Sequence, residues 1–239
     1  KDANGKDVTV KKVTLLRSKY LDNHFAGLIT SLAYQDDRIE LTAGIAGNHY
    51  LGDHYGTRSI TSGYPHAVDP TERYYSNEAK KTDLSAFVKL NYELARGLNV
   101  FADVQYRYVN YKADGKNDKF YELANGTYTN QLLNINESYN FVNPKTGISY
   151  NNGGHKAYFS MAYASREPER NNFTDNGKYP APNAEHLLDI ELGYQYASNN
   201  WHIGTNLYYM GYKDQFVQTG EQSDIGENLT TNVKDSYRM

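Results

Sequence analysis

Two histidines and an aspartate lie close together in the sequence and have the chemistry of metal ligands. His49, Asp53 and His54 offer two imidazoles and a carboxylate, which transition metals bind readily. Nothing in their spacing holds a third ligand rigidly against the other two, and solvation in a polar loop explains the same residues. The sequence therefore predicts no metal site, and these three side chains stay weak candidates.

A second group of residues carries charges of both signs around Pro168. Arg166, Glu167, Glu169 and Arg170 follow one another closely. A guanidinium presents planar, paired N–H donors that match carboxylate and phosphate groups. Arg166, Glu167 and Arg170 are therefore candidates for contact with a ligand that bears an anionic group. Mutual salt bridges among the four charges are the interpretation that the sequence favours.

Tyrosine supplies a third kind of candidate, because the chain contains 24 of them. Tyr50, Tyr55, Tyr121 and Tyr179 fall in stretches without clear periodicity, which indicates loops. Aromatic rings on loops can stack on a sugar or an aromatic chelate, and packing within the loop is the alternative. We expect these four rings to contribute to ligand binding.

Other classes of function find little support in the 239 residues. There is no Cys, so thiolate metal sites and disulfides are excluded. The net charge of -3 argues against nucleic acid as a partner. No Gly-x-Ser-x-Gly, His-Glu-x-x-His or P-loop motif occurs. We therefore predict no catalytic residue and no cofactor.

The elements that must position these residues are strands, because apolar side chains recur with a period of two. Leu188, Ile190 and Leu192 alternate with Asp189 and Glu191, whereas a helix would scatter each set around its circumference. The same pattern occurs in five further segments, at 38–48, 82–93, 98–108, 157–166 and 201–212.

The connections between the strands alternate in length. Short turns are predicted at 35–37, 94–97, 151–154 and 197–200. Long, irregular loops are predicted at 50–81, 112–138 and 167–184. Alternating short turns and long loops are typical of a transmembrane β-barrel, whose strands average to a polar hydropathy.

The sequence predicts about ten strands. They lie near 8–17, 25–34, 38–49, 82–93, 98–111, 139–150, 156–166, 186–196, 201–213 and 229–239. The fold class predicted is therefore all-β, an antiparallel transmembrane β-barrel occupying residues 1–239 as one domain.

Several motifs resemble those of the TonB-dependent outer-membrane receptor family. Arg166-Glu167-Pro168 matches the Arg-x-Pro element of one barrel strand, and Pro182-Asn183-Ala184 leads into Glu191-Leu192-Gly193-Tyr194. The segments 206–215, 231–238 and 139–150 are similar to the family in the same order. The resemblance is strongest from residue 139 to the end.

Membership of that family would imply a barrel of about 22 strands, a plug domain inside it and energy supplied through TonB. The chain is then expected to be a fragment, slightly under half of the barrel, with the plug domain missing. The resemblance implies import of a scarce nutrient such as a ferric siderophore, vitamin or oligosaccharide across the bacterial outer membrane. Its expected partners are outer-membrane lipid, TonB through the plug, a small-molecule or metal-chelate ligand and a surface lipoprotein.

Two other functions fit parts of the pattern. A passive outer-membrane porin shares the fold class and lacks the plug. A soluble carbohydrate-binding β-sandwich would cover each apolar face with a second sheet. The distinguishing observation is whether lipid or protein covers the apolar face.

Overall fold

A computed structural model describes residues 4–7, 9, 12–63, 68–175, 179–222, 226 and 228–239. Val8, Val10 and Lys11, in the first predicted strand, lie outside the described residues. Over these described residues the chain forms nine strands and one short helix, with these bounds: β1 Thr14–Gln35, β2 Ile39–Ser62, β3 Arg73–Ala95, β4 Leu98–Glu122, β5 Tyr128–Asn152, β6 His155–Arg166, α1 Arg170–Thr174, β7 Glu185–Ala197, β8 His202–Gln222 and β9 Asn228–Arg238.

The nine strands form one sheet in which the spatial order equals the chain order, β1 to β9. Strands β5 to β9 pair antiparallel with their neighbours. This meander confirms the predicted all-β fold. No helix within the described ranges is long and apolar enough to cross a membrane.

Contacts divide the chain into two compact units. The first comprises residues 1–26, 49–82 and 110–137, and the second residues 27–48, 83–109 and 138–239. In the first unit the buried apolar side chains are Tyr75, Ala79, Tyr111, Ala113 and Leu133. In the second they are Val109 and Phe141. Most large apolar side chains of the second unit are exposed instead, because they lie on one face of the strands.

Strands β6, β7 and β8 show one face of the sheet that is apolar row by row. Phe159, Leu192 and Leu207 are directly paired across the three strands and are 43%, 51% and 64% exposed. Met161, Ile190 and Tyr209 form the next row. No second layer of the described chain covers these rows. We call this surface the apolar face, and the opposite surface, which carries Asp189 and Glu191, the polar face.

Polar residues bound the apolar face at both ends. Ser165, His186, Lys213 and Asp235 pair across β6 to β9 and form one boundary row. His155 pairs with Tyr196 at the other boundary. The strand from His155 to Ser165 rises about 33 Å, which corresponds to about 25 Å perpendicular to a bilayer at a tilt of about 40°. The apolar rows therefore match the height of a membrane barrel's hydrocarbon band.

The four short turns occur where the sequence predicts them. Between β5 and β6, Gly153 and Gly154 both have positive φ, 59° and 82°, as a two-residue hairpin requires. Between β1 and β2, the Asp36 carboxylate accepts hydrogen bonds from the backbone N–H groups of Arg38 and Ile39. These bonds lower the pKa of Asp36.

Two of the predicted long loops are wrong, because the strands continue through most of them. Strand β2 extends to Ser62 and β3 begins at Arg73, so 50–81 is largely strand. Likewise β4 reaches Glu122 and β5 starts at Tyr128 within the predicted loop 112–138. A ladder needs only backbone pairing, so a strand that does not contact hydrocarbon has no need of alternating side chains. The third predicted loop, 167–184, is confirmed, with α1 inside it.

The predicted strands 8–17 and 25–34 are also corrected. Their described residues from Thr14 onward belong to the single strand β1, so the part of the chain that the structure describes has nine strands where the sequence predicted about ten. The polar run Asp22-Asn23-His24 falls between the two predicted strands, yet it lies within β1. There the Tyr50 hydroxyl donates a hydrogen bond to Asn23 Oδ1 at 2.8 Å, which supports an extended conformation.

Aromatic rings cover glycines on neighbouring strands of the polar face. A Cβ added at Gly193 would overlap the Tyr158 ring, and one at Gly44 would overlap the Phe87 ring. Gly147 lies against Phe101 in the same way. Glycine is thus required by the close approach of a ring rather than by its φ.

We predict that Gly193→Ala destabilises the intact barrel by about 1–3 kcal/mol, because the methyl group must displace the Tyr158 ring. Denaturant unfolding in detergent measures this change. Gly204→Ala is the matched control, since its Cβ would lie 3.2 Å from the flexible Gln195 side chain. Adding Tyr158→Leu to Gly193→Ala should restore part of the stability. Equal stability of Gly193→Ala and Gly204→Ala would contradict this account.

Candidate ligand-binding surface

The polar face carries a charged network centred on Arg107 of β4. Its guanidinium donates to Glu167 Oε2 at 2.8 Å and Oε1 at 2.9 Å, a bidentate pair. It also donates to Asp83 of β3, with distances of 2.6 and 3.1 Å. The Arg107, Asp83 and Glu167 side chains are 23%, 17% and 10% exposed. One cation therefore neutralises one of two carboxylates in a half-buried setting, where charge-assisted bonds are strong.

The network attaches the start of the β6–β7 segment to β4. Glu167 is the first residue after β6, and its carboxylate reaches a guanidinium 60 positions away in sequence. Farther along the segment, Asn172 of α1 is 5% exposed and donates to Thr230 Oγ1 of β9 at 2.6 Å. The Asn183 N–H donates to Asn232 Oδ1 at 2.8 Å. These contacts fix both described ends of the segment against the sheet.

Arg166 lies in a recess of about 410 Å³ on the polar face. Its Nε donates to Glu185 Oε1 at 2.9 Å, and its guanidinium lies 5.1 Å from the centre of the Phe216 ring. Arg238 lines the same recess, with its guanidinium 5.4 Å from the centre of the Tyr212 ring. The recess thus combines two guanidiniums and one carboxylate with aromatic walls, which suits a ligand with an anionic group.

The four charges around Pro168 are not held together solely by one another. Arg166 pairs with Glu185 and Glu167 pairs with Arg107, so both reach residues outside the cluster. Glu169 is the N-terminal cap of α1, where its backbone N–H donates to Asn172 Oδ1 at 2.8 Å. Arg170 begins that helix. Ligand contact by Arg166, Glu167 and Arg170 stays a prediction, and Arg166 has the most open setting.

The four tyrosines that the sequence predicts as ligand contacts differ in their position and in how much of each ring is free to contact a ligand. Tyr55 stacks on Tyr20 with centroids 4.8 Å apart, and the Arg73 guanidinium lies 3.5 Å from its other face. Both faces of Tyr55 are therefore occupied. Tyr50 and Tyr55 lie on β2 and Tyr121 on β4, so the loop assignment of these three is wrong. Tyr179 is half-buried and follows α1 in the chain, before β7, in the loop that the sequence predicts.

The weak metal candidates have other partners. His49 Nδ1 lies 2.9 Å from Thr82 Oγ1, and His54 Nε2 lies 3.1 Å from the Tyr50 hydroxyl. The Asp53 carboxylate accepts from Arg73 at 3.0 Å. Throughout the part of the chain that the structure describes, no group of three or more His, Asp or Glu side chains is arranged to hold a metal ion.

The sequence alone did not identify Arg238 as a candidate site residue. It also did not distinguish Arg107 from polar residues that contact water. Arg107 occurs in a polar row of β4 that contact with water explains equally well, and its partner Glu167 is distant in sequence. Arg238 gains its role from register, because Met210 of β8 pairs with it and so places it beside Tyr212. Neither contact leaves a local signal in the sequence.

Several solved structures resemble this one in fold. A copper transporter, OprC, aligns with a TM-score of 0.71 at 14% identity, covering 92% of this chain and 35% of its own. The FrpB iron transporter from Neisseria meningitidis aligns at 0.55, with 15% identity and coverages of 92% and 33%. The ferric yersiniabactin uptake receptor FyuA from Yersinia pestis aligns at 0.53, with 13% identity and coverages of 87% and 31%. The chain spans about a third of the length of these structures.

Sequence comparison gives the family. No curated protein matches the chain. The family model described as TonB dependent receptor-like, beta-barrel, matches residues 7–239, nearly the whole chain. The chain therefore belongs to the TonB-dependent receptor-like β-barrel family.

Proposed function

We propose that this chain forms part of the barrel wall of a bacterial outer-membrane receptor that imports a scarce nutrient with energy from TonB. Family membership supports the energy source. The observation that carries the proposal is the difference between the two faces of the sheet. One face consists of exposed apolar rows, and the opposite, polar face contains Arg107, Asp83 and Glu167. A wall between hydrocarbon and an aqueous lumen has this arrangement.

The ligand that we favour is a metal ion carried as an anionic chelate, such as a ferric siderophore. The recess around Arg166 and Arg238 supports an anionic group, because guanidiniums bind carboxylates and phosphates in pairs of hydrogen bonds. Structures of similar fold include a copper transporter and an iron transporter. Two guanidiniums match an anionic chelate better than they match a vitamin or an oligosaccharide.

The two other functions are less well supported. A β-sandwich needs a second sheet over the apolar face, and within the described residues that face is bare. A passive porin would share the two-faced sheet, so the fold does not distinguish it from a receptor. The family match favours the receptor, and dependence on TonB separates the two.

Uptake of a radiolabelled ferric chelate by whole cells tests the function. We expect cells expressing the intact receptor to accumulate iron at nanomolar to micromolar chelate, and cells lacking either the receptor gene or TonB to lose that uptake. A panel of ferric, cupric and cobalamin ligands identifies the class. Uptake that continues without TonB would support a porin and refute the proposal.

We further predict that Arg166→Gln weakens chelate binding about 10- to 100-fold, because a charge-assisted hydrogen bond contributes about 1.5–3 kcal/mol. Ligand binding to the purified intact receptor measures the change. Lys213→Gln is the matched control, since Lys213 also bears one positive charge and belongs to the boundary row of the opposite, apolar face. Equal affinities of the two variants would show that Arg166 does not contact the ligand.

A further inference from the structure

Gln215 of β8 is a buried polar residue in the wall of the recess that contains Arg166 and Arg238. It is only 7% exposed. Its Oε1 accepts a hydrogen bond from Ser236 Oγ at 2.7 Å, which fixes the direction of the amide group. Among the described residues, no acceptor is hydrogen-bonded to the amide Nε2. The two N–H groups of that nitrogen are therefore available to a molecule in the recess.

The backbone of Asp214 explains how Gln215 reaches the recess. Its φ is 54°, the only positive value of a residue other than glycine in the described part of the chain. Tyr212 lies on the polar face, and regular alternation would turn Gln215, three residues later, to the opposite face. The left-handed residue interrupts the alternation, so Gln215 and Phe216 both line the recess. The Asn232 side chain donates to the Asp214 carbonyl and holds this uncommon conformation, which is typical of functional sites.

The free polar groups that these side chains offer in the recess are donors. Both oxygens of the Glu185 carboxylate already have partners, Arg166 Nε at 2.9 Å and the Phe216 N–H at 2.7 Å. Within the described ranges, Arg166 has Glu185 as its only acceptor and Arg238 has none. A guanidinium carries five N–H groups, so most of these donors are unused. The recess is therefore suited to a group that only accepts hydrogen bonds.

The charge of the recess narrows the choice of that group. Arg166 and Arg238 supply two positive charges and Glu185 one negative charge, which leaves one positive charge. A carboxylate carries one negative charge and only accepts hydrogen bonds. A phosphate monoester carries about −1.5 to −2 charges at pH 7 and would leave negative charge in excess. A single carboxylate therefore matches the recess in both charge and hydrogen bonding.

We propose that the recess binds one carboxylate of the imported chelate and that Gln215 is the residue that determines this specificity. The two arginines attract any anion, whereas the amide adds a neutral donor in a direction that Ser236 and Asp214 fix. An anion gains this additional hydrogen bond only when one of its oxygens reaches the amide. The inference rests on the proposed function, because it specifies which chemical group of the ligand the recess binds.

Ligand-observed nuclear magnetic resonance with the purified intact receptor tests the site, because it detects binding at millimolar concentrations. Three probes share one ring that can pack on the aromatic walls: benzoate, phenylphosphonate and the uncharged benzamide. We expect benzoate to bind, phenylphosphonate to bind more weakly and benzamide not to bind. Gln215→Leu removes the donor with a side chain of similar size. It should weaken benzoate binding about tenfold, the contribution of one hydrogen bond to a charged group.

Gln218→Leu is the matched control, because Gln218 lies on the same strand, pairs with Thr230 and is outside the recess. It should bind benzoate as the unmodified receptor does. Gln215→Glu gives a readout that a purely structural role would not change. Its benzoate affinity, divided by that of the unmodified receptor at the same pH, should be lowest at pH 7. The ratio should recover as the pH falls to about 4, where the introduced carboxyl is protonated and donates again.

Three results would overturn the inference. They are equal benzoate affinities of Gln215→Leu and Gln218→Leu, phenylphosphonate binding as tight as that of benzoate, and benzoate binding that is absent or survives Arg166→Gln. The import proposal is judged separately, by TonB-dependent uptake of the ferric chelate. Uptake that depends on TonB without benzoate binding would reject only the carboxylate site, whereas uptake independent of TonB would reject the function on which it rests.

Discussion

Pairing of every backbone N–H and C=O within the sheet is the constraint on which the rest of this structure depends. Hydrocarbon offers no hydrogen-bonding partner, so a chain that crosses it must satisfy these groups internally. Strands β6 and β7 pair residue by residue from His155 with Tyr196 to Arg166 with Glu185. Such a ladder leaves alternate side chains on opposite faces, so that one face is apolar and the other makes polar contacts.

The two faces of the sheet therefore differ in the contacts that their side chains need. The apolar face needs no protein partner, and Leu207 and Ile203 remain more than half exposed. The polar face must satisfy its charges, which Arg107 does by holding Asp83 and Glu167 together. The same network attaches the segment that follows β6 to β4. The residues next to the Arg166 recess are therefore held in place by the strands of the sheet. A ligand bound there, as we propose, would meet a surface that is largely formed in advance, which would lower the entropy lost on binding.

Sequence predicts the strands of this fold where apolar and polar side chains alternate. The alternation of Leu188, Ile190 and Leu192 gave β7 within one residue of each end, and the Gly153-Gly154 turn is equally clear. Outside the apolar rows the alternation is absent, so 50–81 and 112–138 were predicted as loops, although strands occupy most of each range. The charged stretch from Arg166 to Arg170 was identified, but its partners Glu185 and Arg107 depend on register and on contacts distant in sequence.

The central claim is that lipid hydrocarbon covers the apolar face, and site-directed spin labelling of β7 tests it most directly. The chain contains no cysteine, so single cysteines from Leu187 to Tyr196 can each be labelled in the receptor reconstituted in bilayers. We predict collision with dissolved oxygen to peak at Leu188, Ile190, Leu192 and Tyr194, with a period of two. If those positions collide with neither oxygen nor a water-soluble nickel complex, protein buries that face, and this account of the molecule is wrong.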